Sequence, residues 1–319
     1  ALAGGAGERL TGPGSRRRGA PRTVGAAMPL RSDTITFLSD YGHADEFVGV
    51  VHSVIRSITP EATVVDLTHD IAPHDVRAAG LLLARSAQYL CPGVVLAVVD
   101  PGVGGARRSV AVEVGDGMSV LVGPDNGLLA PAVAMVGGAT RAVELTNTDF
   151  HLPAAGATFA GRDVFAPVAA QLCQGVDLAE LGERIEPGLL QPGVLPLSRE
   201  EDGVVVAQVL WVDRFGNAQL NVDPDDLAAF GDRVRLRFGD TTRSAQLGTA
   251  YAELGPGDVG LLVDSYGLLA LAVNGHSAAA TLGVAEGDEL TIEPLEGDDD
   301  PGRTAGVSTP VTLTDPTTR

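Results

Sequence analysis

Short apolar runs alternate with segments of helical spacing through the first half of the chain. Residues 35–39, 63–67 and 94–99 read as strands. The last is apolar throughout, as a central strand covered on both faces is. Between the first two, residues 46–58 place Phe47, Val50, Val51, Val54 and Ile58 on one face of a helix. Asp75 stands where it can cap a second helix running to about Leu90. Further strands are predicted near 109–114, 119–122 and 142–145, and helices near 128–136 and 162–174. This β-α-β alternation predicts an α/β fold with a mostly parallel sheet and helices on both faces.

The pattern changes after Asp202. Residues 204–212, 218–222, 233–238, 259–263, 268–273 and 289–292 read as short strands separated by Gly, Asp and Asn turns. They predict a smaller antiparallel β barrel or sandwich. The expected organisation is a disordered extension over 1–32, an α/β domain over 33–187, a Pro-, Leu- and Gly-rich linker over 188–201, a β domain over 202–296 and a disordered tail over 297–319.

Of the 319 residues, 45% are hydrophobic and 20% charged, a globular composition. The net charge is −19, and residues 1–31 carry six arginines and one glutamate, +5, which leaves −24 on the remainder. So acidic a body repels phosphate backbones and argues against a nucleic-acid partner. No lysine occurs, which removes Schiff-base chemistry and the P-loop. Cys91 and Cys173 sit in apolar segments and are expected to be buried packing residues. No apolar run is long enough to cross a bilayer, and no secretory signal pattern is visible. A cytoplasmic protein without membrane contact is expected. The six histidines show no metal-ligand spacing, so no metal and no cofactor are assigned.

Three aspartates fall at or near the carboxyl ends of predicted strands: Asp40 in Ser39-Asp40-Tyr41-Gly42, Asp66 in Asp66-Leu67-Thr68-His69, and Asp100 in Asp100-Pro101-Gly102-Val103-Gly104. Ligands of open α/β sheets bind beyond those ends. One such aspartate is more simply a turn or helix cap, but three on successive strands point to a site. Arg107 is placed to pair with Asp100 and balance its charge. Pro124-Asp125-Asn126-Gly127 is first a turn signal. In Asp213-Arg214-Phe215-Gly216-Asn217, the amide of Asn217 matches a purine edge, and Phe215 with Tyr251 offers a stacking face; an Asx turn in a hairpin fits the same spacing.

In this order, and together with Thr158-Phe159-Ala160-Gly161-Arg162-Asp163 and Asn274-Gly275, these motifs resemble the S-adenosylmethionine hydroxide adenosyltransferases, relatives of fluorinase and chlorinase. The resemblance runs from about Ile35 to Ile292. It implies cleavage of S-adenosylmethionine to adenosine and methionine by water. It also implies a homotrimer, with the nucleoside substrate between the first domain of one subunit and the second domain of its neighbour. By motif, Asp40 holds the ribose hydroxyls and Asp213 and Ser265 the ends of the methionine part. Asn217 and the backbone near Asn274 and Gly275 read the adenine beside Phe215 and Tyr251, and Phe159 also lines the substrate. Asp100 and Arg107 match two members of an Asp, Arg and His set near the attacked carbon. At the histidine position this chain has Ala160. The expected activity is hydrolysis, impaired by that alanine. The alternatives are a non-catalytic binder of S-adenosylmethionine or adenosine and, less favoured, a halogenase, because a carboxylate at Asp100 repels a halide.

Overall fold

The computed structural model describes residues 32–295. The extension expected over 1–32 (residue 32 apart) and the tail expected over 297–319 lie outside the described residues. The first half builds a seven-stranded sheet of order β2-β1-β3-β5-β4-β6-β7. Its strands are β1 (Thr34–Ser39), β2 (Thr63–Thr68), β3 (Val94–Val98), β4 (Ser109–Val114), β5 (Ser119–Pro124), β6 (Ala139–Glu144) and β7 (Glu183–Ile185). β2, β1, β3 and β5 pair in parallel, and β4 turns the sheet antiparallel toward β6 and β7. Every residue of β3 is buried, because helices cover both faces.

Helix α1 (Phe47–Ile58) buries Val48, Val51 and Ile55, a stripe one step round from the face the sequence suggests. Phe47, Val54 and Ile58 are left half-buried. Asp75 caps α2 (Val76–Ser86) by accepting from the Ala78 amide, a contact of about 1 kcal/mol. α3 (Ala130–Met135) opens with Pro131. Before α4 (Ala166–Cys173), residues Gly161–Phe165 form a π-helical turn, which widens the helix by one residue.

The second half adds β8 (Arg199–Glu201), β9 (Val204–Val212), β10 (Ala218–Leu220), β11 (Arg233–Phe238), β12 (Thr241–Gly248), β13 (Val259–Val263), β14 (Leu269–Val273), helix α5 (Ala278–Leu282) and β15 (Glu289–Pro294). Their order is β10-β14-β13-β12-β11-β15-β9-β8, and a β10–β9 pairing closes seven of these strands into a barrel with β8 outside. β8 falls within the stretch read from sequence as a linker. One pairing of the barrel, β12 with β13, is parallel. Inward side chains such as Val209, Leu220, Leu236, Leu271 and Ile292 fill it.

Sheet and barrel touch through α2. The Arg85 guanidinium lies 3.8 Å over the Trp211 ring, and Arg77 donates to Gln208 Oε1 at 2.8 Å. Among the described residues no helix is long and apolar enough to cross a membrane.

Candidate active site

β1 and β3 lie side by side in register, Ser39 opposite Val98. The next residues along the chain, Asp40 after β1 and Asp100 just beyond β3, therefore emerge together at the carboxyl edge of the sheet. Both line a cavity of about 250 Å³ with Tyr41, His74, Phe159 and Ala160.

Asp100 begins a tight turn, Val103 N–H to Asp100 C=O at 3.2 Å, that brings Arg107 back over it. Arg107 Nε donates to both carboxylate oxygens, at 2.9 and 3.0 Å, and Nη2 donates to Oδ2 at 2.5 Å. The side chains are 6% (Asp100) and 15% (Arg107) exposed. Arg107 Nη1 donates to Ser109 Oγ at 2.7 Å, and its guanidinium stands 5.5 Å from the centre of the Phe165 ring. A two-pronged, charge-assisted pair of this kind fixes the carboxylate in one orientation.

Asp40 is held from the other side. His74 adopts a left-handed backbone, φ 71°, and its amide donates to Asp40 Oδ2 at 2.9 Å. A non-glycine residue in that region is a strained choice that clusters at functional sites. Nothing in the residue types signals this contact.

Tyr41 closes the cavity floor in an aromatic group with Phe47 and Phe159, at ring distances of 5.6 and 5.7 Å. Burial, followed by the carboxylates of Asp40 and Asp100, pushes its phenol well above the ordinary range, so it stays protonated. Gly161 packs on this ring: a Cβ there would stand 2.1 Å from Tyr41 Oη.

Ala160 sits between two spaces. On one side is the Asp40–Asp100 cavity; on the other, a larger one of about 620 Å³ that also reaches Arg107, Ser109, Asp163 and His151. Sequence reasoning gave His151 no role. Its Nε2 is buried without a hydrogen-bond partner, and burial lowers its pKa.

Two sequence expectations fail. Asp66 does not join Asp40 and Asp100. It lies inside the edge strand β2, where His52 Nε2 stands 2.8 Å from its Oδ1. Cys91, expected to be buried, is exposed on the connection into β3; Cys173 is half-buried. The Pro124-Asp125-Asn126-Gly127 segment is structural: buried Asp125 pairs with Arg108, and Asn126 Nδ2 donates to the Val99 carbonyl at 2.9 Å.

The barrel residues form a separate group and do not line the Asp40–Asp100 cavity. Asp213 Oδ1 accepts from the amides of Phe215 and Asn217, both at 2.8 Å, and Oδ2 accepts from Asn217 Nδ2 at 2.8 Å. The Asx turn is thus real. It needs Gly216 at φ 84°, packed against Ser277. The turn presents Phe215 to solvent at 79% exposure, and Tyr251 is 56% exposed. Burial and the carboxylates of Asp213 and Asp264 raise the Tyr251 phenol pKa. Ser265 is exposed in the β13–β14 turn, beside an Asp264 that accepts from the Tyr266 and Leu268 amides. Asn274 Nδ2 donates to the Leu254 carbonyl at 2.6 Å, and Gly275 comes next with φ 79°.

Comparison with known proteins gives a consistent result. Residues 35–182 match the SAM hydroxide adenosyltransferase N-terminal domain, and residues 207–291 match the C-terminal domain. An (R)-S-adenosyl-L-methionine hydrolase of Salinispora tropica is 46% identical over 258 residues, which cover 81% of this chain and 97% of the relative. A fluorinase of an Actinoplanes species is 28% identical, covering 83% of this chain and 99% of the relative. A solved structure from Thermotoga maritima superimposes with a TM-score of 0.76 at 34% identity, covering 81% of this chain and 99% of that one. By these matches across both halves, the chain belongs to the SAM hydroxide adenosyltransferase family.

Proposed function

We propose that this protein hydrolyses S-adenosylmethionine to adenosine and methionine. The observation that carries the reading is the buried Asp100–Arg107 pair facing Asp40 across one cavity. Two carboxylates against one guanidinium favour a sulfonium cation and disfavour a halide. In the reaction a water oxygen bonds to C5′ as the C5′–S bond breaks. The sulfur keeps the electron pair and leaves as the neutral thioether of methionine, and the water gives up one proton. Holding the water in line contributes up to roughly 7–11 kcal/mol. Asp100, fixed by Arg107, accepts the hydrogen bond that orients the water, and Asp40 holds the ribose hydroxyls. Phe159 lines the sugar side. Position 160 lacks the imidazole that would assist proton transfer, so turnover is slow.

The barrel residues Asp213, Phe215, Asn217, Tyr251, Ser265, Asn274 and Gly275 complete the site from a neighbouring copy, in a cytoplasmic homotrimer. The exposure of Phe215 and Tyr251 in the single chain, away from the cavity, supports this. No metal or cofactor takes part in this reading. The test is turnover in ¹⁸O-water with chromatographic product analysis, with and without chloride and fluoride. Adenosine carrying ¹⁸O at its 5′ oxygen is expected. A 5′-halogenated nucleoside would assign the chain to the halogenases, and bound but uncleaved substrate would assign it to non-catalytic binders. Light scattering that gives a monomer with ligand tightly bound would remove the shared site.

A further inference from the structure

Away from the cavity, α1, β2 and the turn after β2 bring three further groups together. Among the described residues, His52, Asp66 and His69 have ligand atoms that all lie within 4.8 Å of one another. We propose that His52 Nε2, Asp66 Oδ1 and His69 Nε2 form a binding site for one divalent first-row metal ion of the zinc type.

The spacing suits an ion. Asp66 Oδ1 stands 2.8 Å from His52 Nε2 and 3.1 Å from His69 Nε2. Ligands held about 2.0–2.2 Å from a shared zinc-like ion fall roughly 3 Å apart. His69 supplies the stronger argument. Its side chain is 1% exposed, and its Nε2 has no hydrogen-bond partner although Asp66 Oδ1 is at 3.1 Å. The oxygen is close enough for a hydrogen bond but not aligned for one. An ion on the nitrogen lone pair puts the carboxylate oxygen off the ring axis, as it is here. The other ring nitrogen, Nδ1, lies 2.7 Å from the fully buried Ser39 Oγ. A hydrogen bond of that kind behind a ligating imidazole fixes its orientation and leaves Nε2 free to coordinate. The His69 ring is further wedged edge-on against Phe37 at 4.5 Å and by His43 at 5.3 Å.

His52 and Asp66 are partly open to solvent, so an ion can enter from their side and keep water in its remaining positions. Two imidazoles and one carboxylate suit zinc, cobalt, nickel or iron rather than calcium or magnesium. None of the three residues lines the Asp40–Asp100 cavity. The site is therefore separate from the hydrolytic chemistry, although Ser39, which holds His69, directly precedes Asp40. The sequence hid it because its ligands come from a helix, a strand and a turn, with no helical repeat between them.

The test is titration of the full chain with Co²⁺, monitored by visible absorption, and then displacement by Zn²⁺. One ion per chain is expected, with weak ligand-field bands and no thiolate charge-transfer band. His52→Lys puts an ammonium beside Asp66 and removes an imidazole, and Asp66→Asn keeps the shape but removes the anion. Each should weaken the ion by at least about tenfold while leaving the metal-free melting temperature close to the parent's. The proposal is overturned if no ion binds at about 100 μM Co²⁺ or Zn²⁺, if both variants bind as the parent does, or if a thiolate band places the ion on Cys91.

Discussion

Arg107 closes on Asp100 with both Nε and Nη2, so this cavity-lining carboxylate has its orientation set by a side chain seven residues later. A pair this buried is costly to break on one side only, about 3–5 kcal/mol, because the survivor is left charged without a partner. Asp100→Asn keeps the volume and one acceptor oxygen while removing the charge. It is expected to lower adenosine formation by about 10²–10⁴-fold, a larger effect than the loss of affinity for the cation that goes with its charge. Asp40→Ala is expected to weaken affinity first. Steady-state kinetics beside calorimetric binding for the two variants checks this, and the opposite pattern would refute the assignment of roles.

Ala160 borders open space on both sides, so an imidazole at that position has room. Ala160→His is expected to raise adenosine formation by at least about tenfold, equal to ~1.4 kcal/mol of barrier, at little cost in affinity. Equal or slower turnover, measured under the same conditions, would mean that the pocket has been rebuilt around the alanine.

Gly161 and Tyr41 make a sharper structural test. In Gly161→Ala the new methyl meets the phenol oxygen at 2.1 Å, and the ring cannot retreat because Phe47 and Phe159 pack on it. Overpacking of this sort costs about 1–3 kcal/mol. Tyr41→Phe removes the clashing atom, so the double variant should recover most of that loss. Additive losses in chemical denaturation would show that the two residues are not coupled.

The pH dependence of stability should carry a signature of His151. Burial lowers its pKa in the folded protein, while the unfolded side chain titrates near 6.5. Below that value the unfolded chain binds the proton more readily, so stability falls as pH drops through about 6.5 and levels off below the lowered folded value. Arg107 and Asp163 share its cavity. His151→Phe should flatten the stability curve between about pH 7 and 5; an unchanged slope would place the acid sensitivity elsewhere.

Asp40 and Asp100 were legible in the sequence because parallel strands deliver the residues after them to one edge, and β1 and β3 are neighbours in register. Asp66 misled because it lies within β2, opposite Phe37, and not beyond the strand; its side chain meets His52 of α1. β12 went unseen because its run Thr-Thr-Arg-Ser-Ala-Gln buries only Ala245, and α5 because five residues carry too little period. The amide of His74 reaches Asp40 through a backbone conformation that residue types do not encode. Ala160 was readable as the place where the resemblance implies a histidine, but the second cavity behind it was not.

The π-helical turn at Gly161–Phe165 has a consequence for how the chain tolerates changes in length. Upstream of it Ala160 faces the cavities, and downstream Val168, Ala169 and Leu172 face the core. An α-helix advances about 100° per residue. Because the turn holds one residue more than an α-helical turn, deleting one residue from Arg162–Val164 would convert it to ordinary α-helix and leave both faces in phase with their targets. A frame-preserving loss of a single codon can therefore be absorbed inside the turn, whereas the same loss within Ala166–Cys173 would rotate the cavity-facing position and the core face apart by that angle.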